Sequence, residues 1–152
     1  MKFLTLVVLV VLVGCGGPSR PPTFPVRGLI TSEGQPLEGV TVAFRPRDPG
    51  NGQRPANGKT GPDGRYELST FTAGDGAMAG EFGVTLLKFP PVVADDSQSG
   101  DGEYVPPEGP LPPPPANVLP KRYADPKTSG MAAEVKAAGE NTFDFSVDLS
   151  AD

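Results

Sequence analysis

The sequence predicts an all-β protein: one immunoglobulin-like β-sandwich of about seven short strands, interrupted by a disordered, proline-rich acidic insert. Three observations lead there. Apolar residues alternate with polar ones at period two in several separate stretches. Clusters of Gly, Pro and Asp punctuate those stretches at turn-like spacing. Helical periodicity is confined to Ala132–Ala138, which is short and runs straight into Gly139 and another alternating segment. Short half-buried strands separated by turns over roughly a hundred residues are the pattern of a sandwich. At 152 residues the chain has room for one domain rather than two.

The elements follow in order. Val26, Gly28 and Ile30 alternate with Arg27, Leu29 and Thr31, and Gly34–Gly39 is a turn. Val40, Val42 and Phe44 then alternate with Thr41, Ala43 and Arg45, and 46–55 is a polar loop. Gly61-Pro62-Asp63-Gly64 is a strong hairpin signal ahead of Arg65–Leu68. Pro62 presets φ for the second turn position, Asp63 suits the third, and Gly64 accepts positive φ. Phe82, Val84 and Leu86 alternate within Glu81–Lys88, and Ala133 and Val135 resume the pattern later. Phe143, Phe145 and Val147 face one way in the last stretch, with Asp144, Ser146 and Asp148 facing the other. Phe44, Phe82, Val84, Phe143 and Phe145 are therefore the expected core.

Glycine and proline make up 20 residues each, a proportion that usually signals disorder, yet fourteen of the prolines fall in 16–25 and 89–120. The second stretch also holds Asp95, Asp96, Asp101, Glu103 and Glu108, with no base. It lacks the apolar residues needed to offset the entropy of ordering and is expected to be a solvated loop. Pro112–Pro115 favours polyproline II, the conformation of a docking segment. Asp95–Glu103 is rich in oxygen ligands, but it lacks the alternating acids and terminal glutamate of a twelve-residue calcium loop.

The formal charge is −5, and no Lys/Arg run overrides it locally, so a nucleic-acid partner is not expected. There is no histidine and one cysteine. That excludes Ser-His-Asp and Cys-His chemistry as well as an internal disulfide.

Met1-Lys2 followed by the apolar run Phe3–Val13, broken only by Thr5, has the length of a signal-peptide hydrophobic region and is too short to span a bilayer. The run ends in Leu12-Val13-Gly14-Cys15, which resembles the lipobox of bacterial lipoproteins: an aliphatic residue, a tolerant position, a small residue, then cysteine. The resemblance implies a signal peptide over 1–14, cut before Cys15, and a diacylglyceryl group on its thiol. Stable anchoring takes more than one acyl chain, which such a cysteine supplies. Residues 15–25 become the lipidated cysteine and a tether of at most roughly 35 Å. Gly16 is not the aspartate that retains many such proteins in the inner membrane, so the outer membrane is favoured.

Within the domain at 26–149, four further segments carry a resemblance: Val26-Arg27-Gly28, Gly34-Gln35-Pro36-Leu37-Glu38-Gly39-Val40, Val42-Ala43-Phe44 and Thr60-Gly61-Pro62-Asp63-Gly64-Arg65-Tyr66-Glu67-Leu68. In order and spacing they resemble carboxypeptidase regulatory-like, or transthyretin-like, domains over about residues 26–88. The ending around Leu119–Gly130 and Asn141–Phe145 resembles a subset of small lipoproteins built on that domain. The resemblance implies no enzymatic activity and no cofactor.

The functional expectation is a non-enzymatic envelope lipoprotein with a binding or structural role, its membrane partner reached through lipid on Cys15 and a protein or glycan partner in the envelope. An accessory subunit of a transport or secretion complex is the alternative. A carboxylate-only hydrolase would require two acids close together. Asp144 and Asp148, four apart on a strand and hence roughly 13 Å, do not offer that. Asp48 and Asp63 are turn residues, and the basic-aromatic cluster Lys121-Arg122-Tyr123 is expected to lead the chain back to the sheet, with anion binding as the alternative.

Overall fold

A computed structural model of the 152-residue chain describes residues 20–91 and 115–150. It shows two β-sheets packed into an immunoglobulin-like sandwich. Strands β1 (Val26–Ser32), β2 (Gln35–Pro36), β5 (Arg65–Glu67), β8 (Asn141–Thr142) and β9 (Phe145–Val147) form one sheet. The other sheet has the order β4 (Ala56–Lys59), β3 (Thr41–Pro46), β6 (Gly80–Leu87), β7 (Ala132–Val135). Among the described residues, nine strand segments, several of two or three residues, stand where about seven strands were expected.

Strand β1 organises its sheet. Antiparallel β5 pairs with Arg27–Leu29 and antiparallel β2 with Thr31–Ser32. Parallel β8 and β9 pair with Val26–Arg27 and Ile30–Ser32. Because Arg27, Thr31 and Ser32 each have two partners, β8 and β9 must line one edge of β1 while β5 and β2 line the other. The β1–β2 turn is tighter than the sequence suggests: Glu33 and Gly34 both have positive φ (51° and 79°), which frees Gln35–Pro36 to pair.

The Gly61–Gly64 turn forms as expected, closed by the Gly64 N–H on the Gly61 carbonyl at 2.9 Å, with Gly64 at φ 73°. It does not close a hairpin within one sheet. β4 belongs to the β3 side and β5 to the β1 side, with an isolated Asn57–Ser69 bridge between the two runs. The turn carries the chain from one layer to the other. Thr60, buried beside it, holds the neighbouring turn: its hydroxyl accepts from the Val40 N–H at 2.8 Å and donates to the Leu37 carbonyl at 2.7 Å.

Alternation sets the core as expected for the first strands. Val26, Ile30, Val42, Phe44, Phe82, Val84 and Leu86 are all at most 1% exposed. Phe44 lies at the centre, with its ring 5.8 Å from Phe82 and 5.7 Å, edge-on, from Phe143. Two expected core residues are not fully buried. Phe143 and Phe145 pack against the core but remain half-buried, because the last strand is broken between β8 and β9 and lies along a sheet edge. Val147 is the fully buried residue there, at 1%.

Two boundaries also move. Phe24 was expected in the tether, yet its N–H donates to the Ala77 carbonyl at 2.8 Å, its own carbonyl accepts from the Ala77 N–H at 3.0 Å, and it packs on the core. At the other end, Leu119, Pro120 and Tyr123 are buried, so the C-terminal part of 89–120 belongs to the fold. The Val118 N–H donates to the Lys88 carbonyl at 2.8 Å, and Asn117 Oδ1 accepts from the Lys88 N–H at 2.8 Å, closing the base of the insert. Leu119 was hidden from a composition argument because prolines surround it.

These contacts give the sandwich two poles. Phe24 joins it beside Ala77, just before β6 begins, while the insert leaves from Lys88, just after β6 ends. The two points are separated by the length of β6, roughly 23 Å at a strand's rise. With the loop base closed by Lys88 and Val118, replacing 92–114 by a short Gly/Ser linker is expected to leave the melting temperature nearly unchanged in calorimetry. Loop-closure entropy accounts for no more than ~1 kcal/mol. A domain that unfolds on this replacement would show that those residues pack on it.

Candidate functional site

Cys15, the leader at 1–14 and the first part of the tether lie outside the described residues, as do Asp95–Glu103, Glu108 and Pro112–Pro114. Among the described residues, no group of three or more His, Cys, Asp or Glu is placed to hold a metal ion, and no helix is long and apolar enough to cross a membrane.

The structure separates Asp144 from Asp148. Asp144 sits in the break between β8 and β9, and its Oδ1 accepts from the Leu29 N–H at 2.8 Å. It is not simply a residue on the outer face of a strand: its carboxylate replaces a backbone acceptor that the ladder has lost. The lost acceptor is the Phe143 carbonyl, which turns inward and takes the Tyr66 hydroxyl at 2.7 Å. Gly28 makes room, since a Cβ there would collide with the Phe143 carbonyl. Burial, reinforced by the charge of Asp144, pushes the Tyr66 hydroxyl well above the ordinary phenol range. The group is a donor fixed in the structure rather than an acid in reserve. Asp148 is engaged elsewhere: its Oδ1 accepts from the Ser150 N–H at 2.9 Å and the Ser150 hydroxyl at 2.6 Å, which holds it below the usual carboxylate range.

Lys121-Arg122-Tyr123 forms a 3-10 turn whose tyrosine is 4% exposed. The Tyr123 hydroxyl accepts from Arg122 Nη2 at 2.6 Å and from the Asp148 N–H at 3.0 Å. The cluster ties the insert's exit to the end of β9 and is structural. Asp48 and Asp63 accept from the Gly50 and Arg65 N–H groups, as turn residues do.

A pair the sequence did not single out does come together. Glu81 and Glu134 are directly opposite in the β6–β7 register and line one open cleft of about 210 Å³ with Arg47, Phe82, Ala132, Ala133 and Phe143. Like charges directly opposite are destabilising in a sheet, and only the strand register reveals them. Both glutamates are solvent-exposed.

The 69–76 loop is held by one carboxylate. Asp75 accepts from the N–H groups of Thr70 (2.7 Å), Phe71 (3.0 Å) and Thr72 (3.1 Å). Burial pushes its carboxyl up, but these hydrogen bonds outweigh it and hold the group below the usual range. A carboxyl depressed in the fold stabilises it above the unfolded-state value, and that contribution fades as pH falls through the folded-state value. Asp75→Asn should therefore flatten the acid limb of the stability–pH curve below about pH 4. At neutral pH it should cost about 1–3 kcal/mol. Urea unfolding at a series of pH values checks both, and an unchanged acid limb would contradict the assignment.

No family model matches the chain, and no curated protein does. Among solved structures, a crystal structure of a DUF3823 family protein from Parabacteroides merdae is similar at 16% identity and a TM-score of 0.38, over 86% of this chain and 47% of that one. The chain thus spans about half the length of that protein.

Proposed function

We propose that the chain is a non-enzymatic, lipid-anchored envelope lipoprotein whose carboxypeptidase regulatory-like sandwich serves a binding or structural role at the membrane surface. The observation that carries this reading is the placement of Leu12-Val13-Gly14-Cys15, at the end of the apolar run Phe3–Val13 and just ahead of the Gly/Pro/Ser stretch Gly16-Gly17-Pro18-Ser19. A spanning helix needs about 20 apolar residues, and a cleaved leader needs far fewer. Gly14 is small enough for a peptidase to reach the bond before the cysteine.

The tether then delivers a domain to the bilayer rather than a free chain. Residues from Phe24 onward are bonded into the sandwich, so the free tether is shorter than 15–25. From Cys15 to Arg20 the chain extends at most about 18 Å. Arg20 packs over the Phe71 ring, its guanidinium 5.8 Å from the ring centroid, so on this reading the 69–76 loop lies near the anchor. Gly16 favours the outer membrane where a cell has one.

Metabolic labelling with a fatty acid tests the reading. Wild type is expected to take up label, and Cys15→Ser to take up none and to persist as the uncut precursor. Absence of label from wild type would sink the proposal.

A further inference from the structure

Five exposed side chains beside the end of β3 divide by charge into two hollows that share Arg47. On one side lie Glu81 and Glu134 in the cleft described above. On the other, Arg45, Arg47 and Lys127 line a hollow of about 420 Å³, completed by Pro46, Gly83 and Pro126, with no acid in its wall. The chain carries 13 basic residues against 18 acidic ones. Three cations around one hollow are therefore not what its composition would scatter there. Among the described residues, ion pairs join Arg27 to Glu67 and Glu140, and Arg65 to Asp63, but none involves Arg45, Arg47 or Lys127.

The hollow is also built from fixed parts. Arg45 stands directly opposite Gly83 in the β3–β6 register, and a Cβ at Gly83 would come within 2.7 Å of Pro126 Cβ. The bare glycine lets the 125–129 turn sit down on the sheet. That turn is held from within: Asp125 Oδ1 accepts from the Lys127 N–H at 2.8 Å, and the Thr128 hydroxyl donates to the Arg122 carbonyl at 2.7 Å. That carboxylate oxygen is thus committed to backbone, and Lys127 lines the hollow together with Arg45 and Arg47. Like charges gathered round a hollow whose wall holds no acid raise the energy of the empty site, and an anion relieves it. Guanidinium groups favour phosphate because their planar forks match its oxygens two at a time.

We propose that this hollow binds a multiply charged oxyanion, a phosphate or diphosphate group. Such a group could reach it as a soluble or glycan-borne phosphate or as a phospholipid headgroup, and the chemistry recognised is the same. The assignment does not depend on the lipid anchor.

The test uses the full chain in neutral detergent micelles at low salt, followed by titration calorimetry with inorganic pyrophosphate. Saturable binding is expected, weakened about tenfold by Arg45→Gln and by Lys127→Gln, as loss of one charge-assisted contact implies. Lys59→Gln, a lysine on β4 outside the hollow, should bind as wild type does. All three side chains are exposed, and matching melting temperatures confirm that the variants fold. A parallel titration with phosphatidylglycerol-doped micelles, without pyrophosphate, assigns the source. Binding only in that arm, with the same dependence on Arg45 and Lys127, supports the lipid headgroup. Failure to bind in either arm, or binding that Arg45→Gln and Lys127→Gln leave unchanged, overturns the proposal.

Discussion

Phe44→Ala is expected to lower stability by about 3–5 kcal/mol, enough to unfold much of the population at 37 °C. Phe44 is wholly buried, and its ring meets Phe82 from the facing strand β6 and Phe143 from the opposite sheet. Truncation leaves a cavity at the one point where both sheets and the last strand meet, and close-packed strands cannot collapse to fill it. Phe143→Ala should cost less, about 1–3 kcal/mol, because that ring is half-buried at a sheet edge and water replaces part of what is lost. Denaturant midpoints of the two variants give the order directly. A Phe143→Ala loss as large as that of Phe44→Ala would place the centre of the core on the last strand instead.

Gly28→Ala is expected to be comparably severe, about 3 kcal/mol or more, for a different reason. The added Cβ would meet the Phe143 carbonyl, which is backbone and cannot swing aside as a side chain can. Relief requires β8 and β9 to move off β1, which would break the Tyr66–Phe143 and Leu29–Asp144 hydrogen bonds together. Tyr66→Phe removes only the first of these and should cost about 1–2 kcal/mol. Hydrogen exchange at Leu29 and Phe143 separates local detachment from global unfolding: in Gly28→Ala these amides should lose protection first. A variant as stable as wild type would mean that the last strand does not pair with β1 as described.

What the sequence disclosed and what it concealed divide along the range of the interactions. Val42, Phe44, Phe82, Val84 and Leu86 were legible because a pleated strand with one buried face writes its geometry into adjacent residues. The Gly61–Gly64 turn was legible because its backbone angles restrict the residue types locally. Partner identity leaves no such local trace. Nothing near Gly64 says that the turn changes sheet, and nothing near Phe143 says that its carbonyl abandons the ladder for Tyr66, 77 residues away. Asp144 looked like an ordinary outward-facing residue because its role depends on that departure. Glu81 and Glu134 carry no signal at all until the β6–β7 register sets them side by side, and the same holds for Arg45 and Lys127, which line one hollow from β3 and the 125–129 turn.

The arrangement around β1 also governs when the fold can close. Its partners on one edge arrive within forty residues, but β8 and β9 on the other edge come from positions 141–147. During synthesis the first strand therefore waits with one row of N–H and C=O groups unpaired until residues 141–147 have appeared. Pairings this distant in sequence form slowly. An unpaired edge held open in the meantime is a template for strands of other chains. Arg27 and Leu29, flanked by Pro25 at the entry to β1, put a charge and a proline at the start of that waiting edge. Aggregation of nascent or truncated chains should accordingly be governed less by the stability of the finished sandwich than by how long β1 remains without its last partner.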